Sequence, residues 1–114
     1  MDHVTGNAVV CTAPPFALVL VSGELDLSTA PMLATRFHEA AAAGCRSFRV
    51  DLGAVRFCDV STARVLAQVD RSMRLTGGSL RIVAASACVR RVLRLVGQTH
   101  LIEGEERVLT PQPA

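Results

Sequence analysis

The chain has 114 residues and a mass of 12.1 kDa; half of it is hydrophobic, 19% is charged, and the net charge is +2. That length holds one domain with one core, and the composition excludes a charged disordered tail. The slight basic excess and the absence of Trp and Tyr argue against a nucleic-acid surface built on charge and base stacking.

No segment offers the roughly 20 consecutive apolar residues of a membrane-spanning helix; the purest run is Phe16 to Val21. Met1-Asp2-His3 lacks the basic-then-apolar pattern of a secretory leader, so a cytoplasmic protein with reduced thiols is expected. Cys11, Cys45, Cys58 and Cys88 form no CxxC pair, and His3, His38 and His100 lie near none of them at a zinc-like spacing. No metal and no cofactor is therefore expected.

In chain order, residues 1–7 are polar and read as frayed. Ala8 to Cys11 suits a short strand, broken by Pro14-Pro15. The continuous apolar run Phe16–Val21 suits a strand buried on both faces, ended by Ser22-Gly23-Glu24. Ser28 or Thr29 caps a helix with Pro31 in its first turn, where a missing N–H costs nothing. Leu33, Phe37, Ala40 and Ala41 share one face of that helix, and Gly44 ends it. Phe48, Val50 and Leu52 alternate with polar neighbours as a second sheet strand.

A second helix starts near Ser61 and buries Leu66, Val69 and Met73, with Arg64, Gln68 and Arg71 outward and Gly77-Gly78 at its end. Leu80 to Ala84 is a third sheet strand. A short helix from about Ser86 turns Val89, Val92, Leu93 and Val96 inward and Arg90, Arg91 and Arg94 outward. His100 to Ile102 suits a last short strand, Glu103 to Arg107 a single helical turn, and Pro111 to Pro113 a loose tail. A strand pair followed by alternating helices and strands predicts an α/β sheet covered by helices, with the later strands parallel.

Few residues carry reactive chemistry, and no catalytic residue is expected. Glu24 and Asp26 would share a strand face as a carboxylate pair, but solvated carboxylates at a turn explain them better. GxSxG, HExxH and P-loop patterns are missing. The charge of Asp59 would raise the thiol pKa of Cys58, which disfavours a nucleophile there. Buried structural thiols are the stronger reading of Cys58 and Cys88; a redox pair is the weaker one. Arg90, Arg91 and Arg94 read as solvated helix surface. The informative stretch is Phe57 to Leu66, where a strand turns directly into a helix. Its N-terminus offers unpaired N–H groups and partial positive charge, with hydroxyls at Ser61 and Thr62. On local pattern alone, helix capping by Asp59, Ser61 or Thr62 accounts for it.

Three segments, taken in order and spacing, change that balance: Val21-Ser-Gly-Glu-Leu-Asp26-Leu-Ser-Thr-Ala-Pro31, Val50-Asp-Leu52 with Val55-Arg-Phe-Cys-Asp59, and Gly77-Gly-Ser-Leu-Arg-Ile-Val83 with Val89 to Gly97. Together they resemble a STAS domain of the anti-sigma factor antagonist type, over about residues 8–102, with 103–114 as a short tail of the same single domain. The resemblance implies a four- to five-stranded mixed β-sheet with helices packed mainly on one face. It also implies binding to a GHKL-type anti-sigma factor that is also a serine kinase, with release of a sigma factor. In the family, phosphorylation of the hydroxyl residue directly after the signature Asp blocks that binding. Here Asp59 is followed by Val60, which has no hydroxyl.

The resemblance thus points to a non-enzymatic regulator that docks its partner through Asp26, Asp59, Val60, Ser61, Thr62 and Arg64 and escapes the usual control. Ser61 or Thr62 is the substitute phosphate acceptor in a second version, disfavoured because one helical step re-aims a side chain by about 100°. Two further readings are an accessory subunit of an ABC-type lipid transporter, whose partner is the ATPase, and a thiol redox sensor using Cys58 and Cys88.

Overall fold

The computed structural model describes residues 6–104, which form four strands and three α-helices. In chain order these are β1 (Gly6–Ala13), β2 (Phe16–Leu25), α1 (Ala30–Ala42), β3 (Ser47–Cys58), α2 (Val60–Arg74), β4 (Ser79–Ala85) and α3 (Ala87–Leu95). The sheet order is β1-β2-β3-β4. β1 runs antiparallel to β2, and β2, β3 and β4 are mutually parallel, as helix-linked strands must be when each helix crosses back over the sheet.

The strand alternation sets the core. Ala17, Phe48 and Leu80 align across the three parallel strands, as do Val19, Val50 and Ile82, and all six are buried. Helix residues Leu33, Phe37, Leu66, Val69, Val89 and Leu93 cover this face, with the Phe37 and Phe48 rings edge-on at 5.4 Å. Asp70 is the buried carboxylate of the core edge. It accepts from the Leu80 N–H at 3.1 Å and from Arg74 Nε at 2.8 Å, which joins the end of α2 to the start of β4. Gly44, Gly77 and Gly97 follow the helices with φ of 101°, 83° and 72°, the left-handed turn that glycine permits. At Gly78 a Cβ would overlap the carbonyl of Arg46, so the α2–β4 turn can press against the start of β3 only without a side chain.

Several expectations need correction. β2 is buried on one face only. Phe16, Leu18 and Leu20 are 61%, 38% and 40% exposed, because every helix packs on the Ala17–Val19–Val21 side. Hydrogen bonding continues through Ser22-Gly23-Glu24, which therefore belongs to β2, and β1 already begins at Gly6. Register shifts at Leu20/Ser22 and Gly23/Glu24 let β2 and β3 stay paired to Leu25 and Cys58, well past Leu52. Residues 99–101 form a 3₁₀ turn, and a single bridge from Ile102 to Ile82 stands where a fifth strand was expected. Val96 is part-exposed beyond the end of α3. The turn expected over Glu103–Arg107 lies largely outside the described residues, and the Pro111–Pro113 tail wholly so.

Candidate protein-docking site

β2 and β3 end side by side. Leu25 pairs with Cys58, and the Asp59 N–H donates to the Leu25 carbonyl at 3.1 Å. Asp26 and Asp59 are thus the first residues past two adjacent parallel strand ends, and each leads into a helix. Ligand and partner sites on open α/β sheets gather at such carboxyl ends, where loops can vary without disturbing the ladder.

Each carboxylate organises its own turn. Asp26 Oδ1 accepts from the Ser28 N–H at 2.9 Å, the Ser28 hydroxyl at 2.6 Å and the Thr29 N–H at 3.2 Å. The Ser28 hydroxyl bond leads in holding its carboxyl below the ordinary range, against the opposing effect of partial desolvation. Thr29 stands at the N-cap of α1, but its hydroxyl accepts from the Asp26 N–H at 2.8 Å and caps no helical N–H. Asp59 is the N-cap of α2. Its Oδ1 accepts from the Ser61 N–H at 3.0 Å and, at very short range, from the Ser61 hydroxyl.

The six expected docking residues separate. Val60 and Arg64 are exposed; Asp26, Asp59 and Ser61 are half-buried at the rim. Thr62 is 0% exposed. It continues the buried stripe of Leu66, Val69 and Met73, so it is neither a surface contact nor a phosphate acceptor in the folded chain. Its Oγ1 has no hydrogen-bond partner, although it lies near enough to the Cys58 thiol to favour the thiolate slightly. Ser61 reaches solvent, but its hydroxyl is engaged by Asp59. Two exposed residues that the sequence reading left out, Leu27 and Phe57, stand beside Asp26 and Cys58. With Val60 they give the corner an apolar character around its two carboxylates. The break in the β3 alternation after Leu52 was the available signal for Phe57.

The same corner opposes the redox reading. Cys58 is buried, and its thiol is pushed up to about 11, first by burial and then by the neighbouring charges of Cys88 and Asp59. Cys88 is part-buried. Its sulfur lies 3.3 Å from the Ser86 hydroxyl and 3.5 Å from the Val55 carbonyl. At neutral pH Cys58 stays protonated and is a poor nucleophile. No group of three metal-ligating side chains occurs among the described residues, and none of their helices is long and apolar enough to cross a membrane.

A single mixed sheet with three helices on one face, and strand ends that feed helix starts at Asp26 and Asp59, defines a STAS domain. The chain belongs to this family: residues 15–103 match the family model described as "Mlab, STAS domain". No curated protein sequence matches. Among solved structures, an anti-sigma factor antagonist from Mycobacterium paratuberculosis is 26% identical, with a TM-score of 0.75 over 86% of this chain and 83% of that one. The anti-sigma factor antagonist SpoIIAA in its unphosphorylated form is 16% identical, with a TM-score of 0.76 over 84% and 85% of the two chains. The phosphorylated form of the Bacillus cell fate determinant SpoIIAA is 14% identical, with a TM-score of 0.70 over 84% and 88%. The two SpoIIAA structures bear on the fold alone.

Proposed function

We propose that this chain is an anti-sigma factor antagonist-like regulator. It binds a GHKL-type anti-sigma factor at the Asp26–Asp59 corner and so frees a sigma factor. The observation that carries the reading is the side-by-side ending of β2 and β3 at Leu25 and Cys58, which puts Asp26 and Asp59 at one corner with their sequence neighbours Leu27, Phe57 and Val60 exposed. The 26% identity to a named antagonist supports it. Apolar anchors supply affinity in such a patch, and the carboxylates and Arg64 supply orientation and on-rate.

Control of this corner differs from the family pattern. A phosphate on the residue after Asp59 would place about −1.5 to −2 charges beside that carboxylate. Val60 cannot accept one, so the corner stays competent to bind. The test is incubation of the chain with candidate GHKL-type anti-sigma kinases and ATP. Complex formation without phosphate transfer is the expected result. Absence of any complex, with the kinase shown to bind another antagonist, would sink the reading.

The match to the Mlab model favours a second reading, an accessory subunit of an ABC-type lipid transporter that docks its ATPase on the same corner. A pull-down from native lysate separates the two by the partner recovered, an anti-sigma factor or a transporter ATPase.

A further inference from the structure

The helix-free face of the sheet is unusually apolar along β1 and β2. Val9 pairs with Leu20, Cys11 with Leu18, and Ala13 with Phe16, and all six side chains are exposed on that face. Val9 is 49% exposed and Phe16 61%. A sheet face turned to water ordinarily alternates to polar residues, as β3 and β4 do with Arg49, Asp51 and Arg81. The β2 run Phe16–Val21 is instead written for burial on both sides, while the fold of one chain buries only one.

We propose that the second side is buried by a second copy of this chain, the two bare faces packing sheet on sheet. Aligned sheets pack about 10 Å apart at roughly 30°, which suits interdigitating Leu18, Leu20, Val9 and Phe16. Four strands about 4.8 Å apart, rising ~3.3 Å per residue, give a footprint of roughly 500 Å² per copy, so a pair reaches the ~1,000 Å² at which specific interfaces begin. That area fits a reversible, concentration-dependent dimer. The β3–β4 half carries both signs of charge, with Arg49 ion-paired to Glu103 and Asp51 and Arg81 beside them. A face with one apolar half along β1–β2 and one half that carries both signs of charge matches a copy of itself about a two-fold axis that sets β1–β2 on β1–β2. The Asp26–Asp59 corner lies at the strand ends, beyond the Val9–Leu20 pair.

The test is sedimentation of the full chain over roughly 1 to 500 µM, with Leu18→Asp and Phe16→Ser as variants. The wild-type mass rises from 12.1 kDa towards twice that value, and each variant weakens the association at least tenfold with an unchanged circular dichroism spectrum. Should Leu18→Asp fold poorly, Phe16→Ser, at a more exposed position, decides alone. The exposed Cys11 provides a second readout. Its alkylation, followed by peptide mapping, slows as wild-type concentration rises and does not slow in the variants. A mass that stays at 12.1 kDa throughout overturns the proposal, and so does a dimer that both variants leave intact. Binding to phosphatidylglycerol vesicles by a chain that stays monomeric in solution would assign the face to lipid and overturn it equally.

Discussion

The Asp59 N–H donates to the Leu25 carbonyl at 3.1 Å, and the Asp59 side chain caps α2 in the same step. One residue therefore closes the β2–β3 ladder and opens the helix that bears Val60 and Arg64. Asp59→Ala removes the cap and should cost about 1 kcal/mol of stability, with Asp59→Ser recovering much of it. Urea denaturation of the three proteins checks this. Equal midpoints would show that the cap does not bear on the fold.

In the proposed function, Val60 is the residue on which regulation turns. Val60→Asp sets a second carboxylate beside Asp59 and should weaken the partner complex at least tenfold, about 1.4 kcal/mol, without loss of fold. Val60→Ser should leave binding intact and permit phosphate transfer by the partner kinase. Isothermal titration and intact-mass spectrometry measure the two effects. Unchanged affinity for Val60→Asp would place the docking surface elsewhere.

Thr62 buries a hydroxyl with no partner. An orphaned buried polar group costs about 1–3 kcal/mol, and valine has nearly the same shape. Thr62→Val should therefore raise the unfolding midpoint, by an amount equivalent to about 1 kcal/mol. A clear loss of stability would mean that the hydroxyl does satisfy a bond, with the Cys58 thiol the nearest candidate.

Cys58, with its thiol pushed up to about 11, should resist alkylation at neutral pH while Cys11 reacts readily. Denaturant should abolish the difference. Mass spectrometry after a short iodoacetamide pulse gives the comparison. Rapid labelling of native Cys58 would reopen the redox reading.

The Asp26 carboxyl lies below the ordinary 3.8 in the folded chain, chiefly through the Ser28 hydroxyl. A folded value lower than the unfolded one stabilises the fold in full above the unfolded value, and the benefit fades as pH falls through the folded value. Asp26→Asn should therefore be less stable than wild type near neutral pH, and the gap should close in acid. Denaturation curves for both proteins along a pH series test this; a gap independent of pH would contradict it.

Much of this architecture is legible in the residues. The alternation in Phe48-Val50-Leu52, the stripe of Leu66, Val69 and Met73, and the glycines at 44, 77 and 97 identify strand, helix and stops, because each rests on a local rule of period or backbone freedom. The position of Asp59 after a strand, ahead of two hydroxyl residues, likewise announces a helix cap. Thr62 was misread because a hydroxyl suggests surface, whereas the phase set by capping at Asp59 turns that position inward. The same stripe, extended one turn back from Leu66, reaches it. The bare face of β2 was hidden for another reason: an apolar run says that a side chain avoids water, and not which neighbour excludes it. Phe57 lies where β2 and β3 stay paired past the end of β4, and the register shifts along that stretch leave no clear trace in composition.

That overrun has a mechanical consequence. β4 ends level with Leu52, so from Gly53 to Cys58 β3 loses its second ladder and keeps hydrogen-bonded pairing to β2 alone. Ladder support thus falls along the strand, from Val50, paired on both sides, to Phe57, paired on one. Amide exchange along β3 should quicken in that direction, from the doubly paired Val50 to the singly paired Phe57.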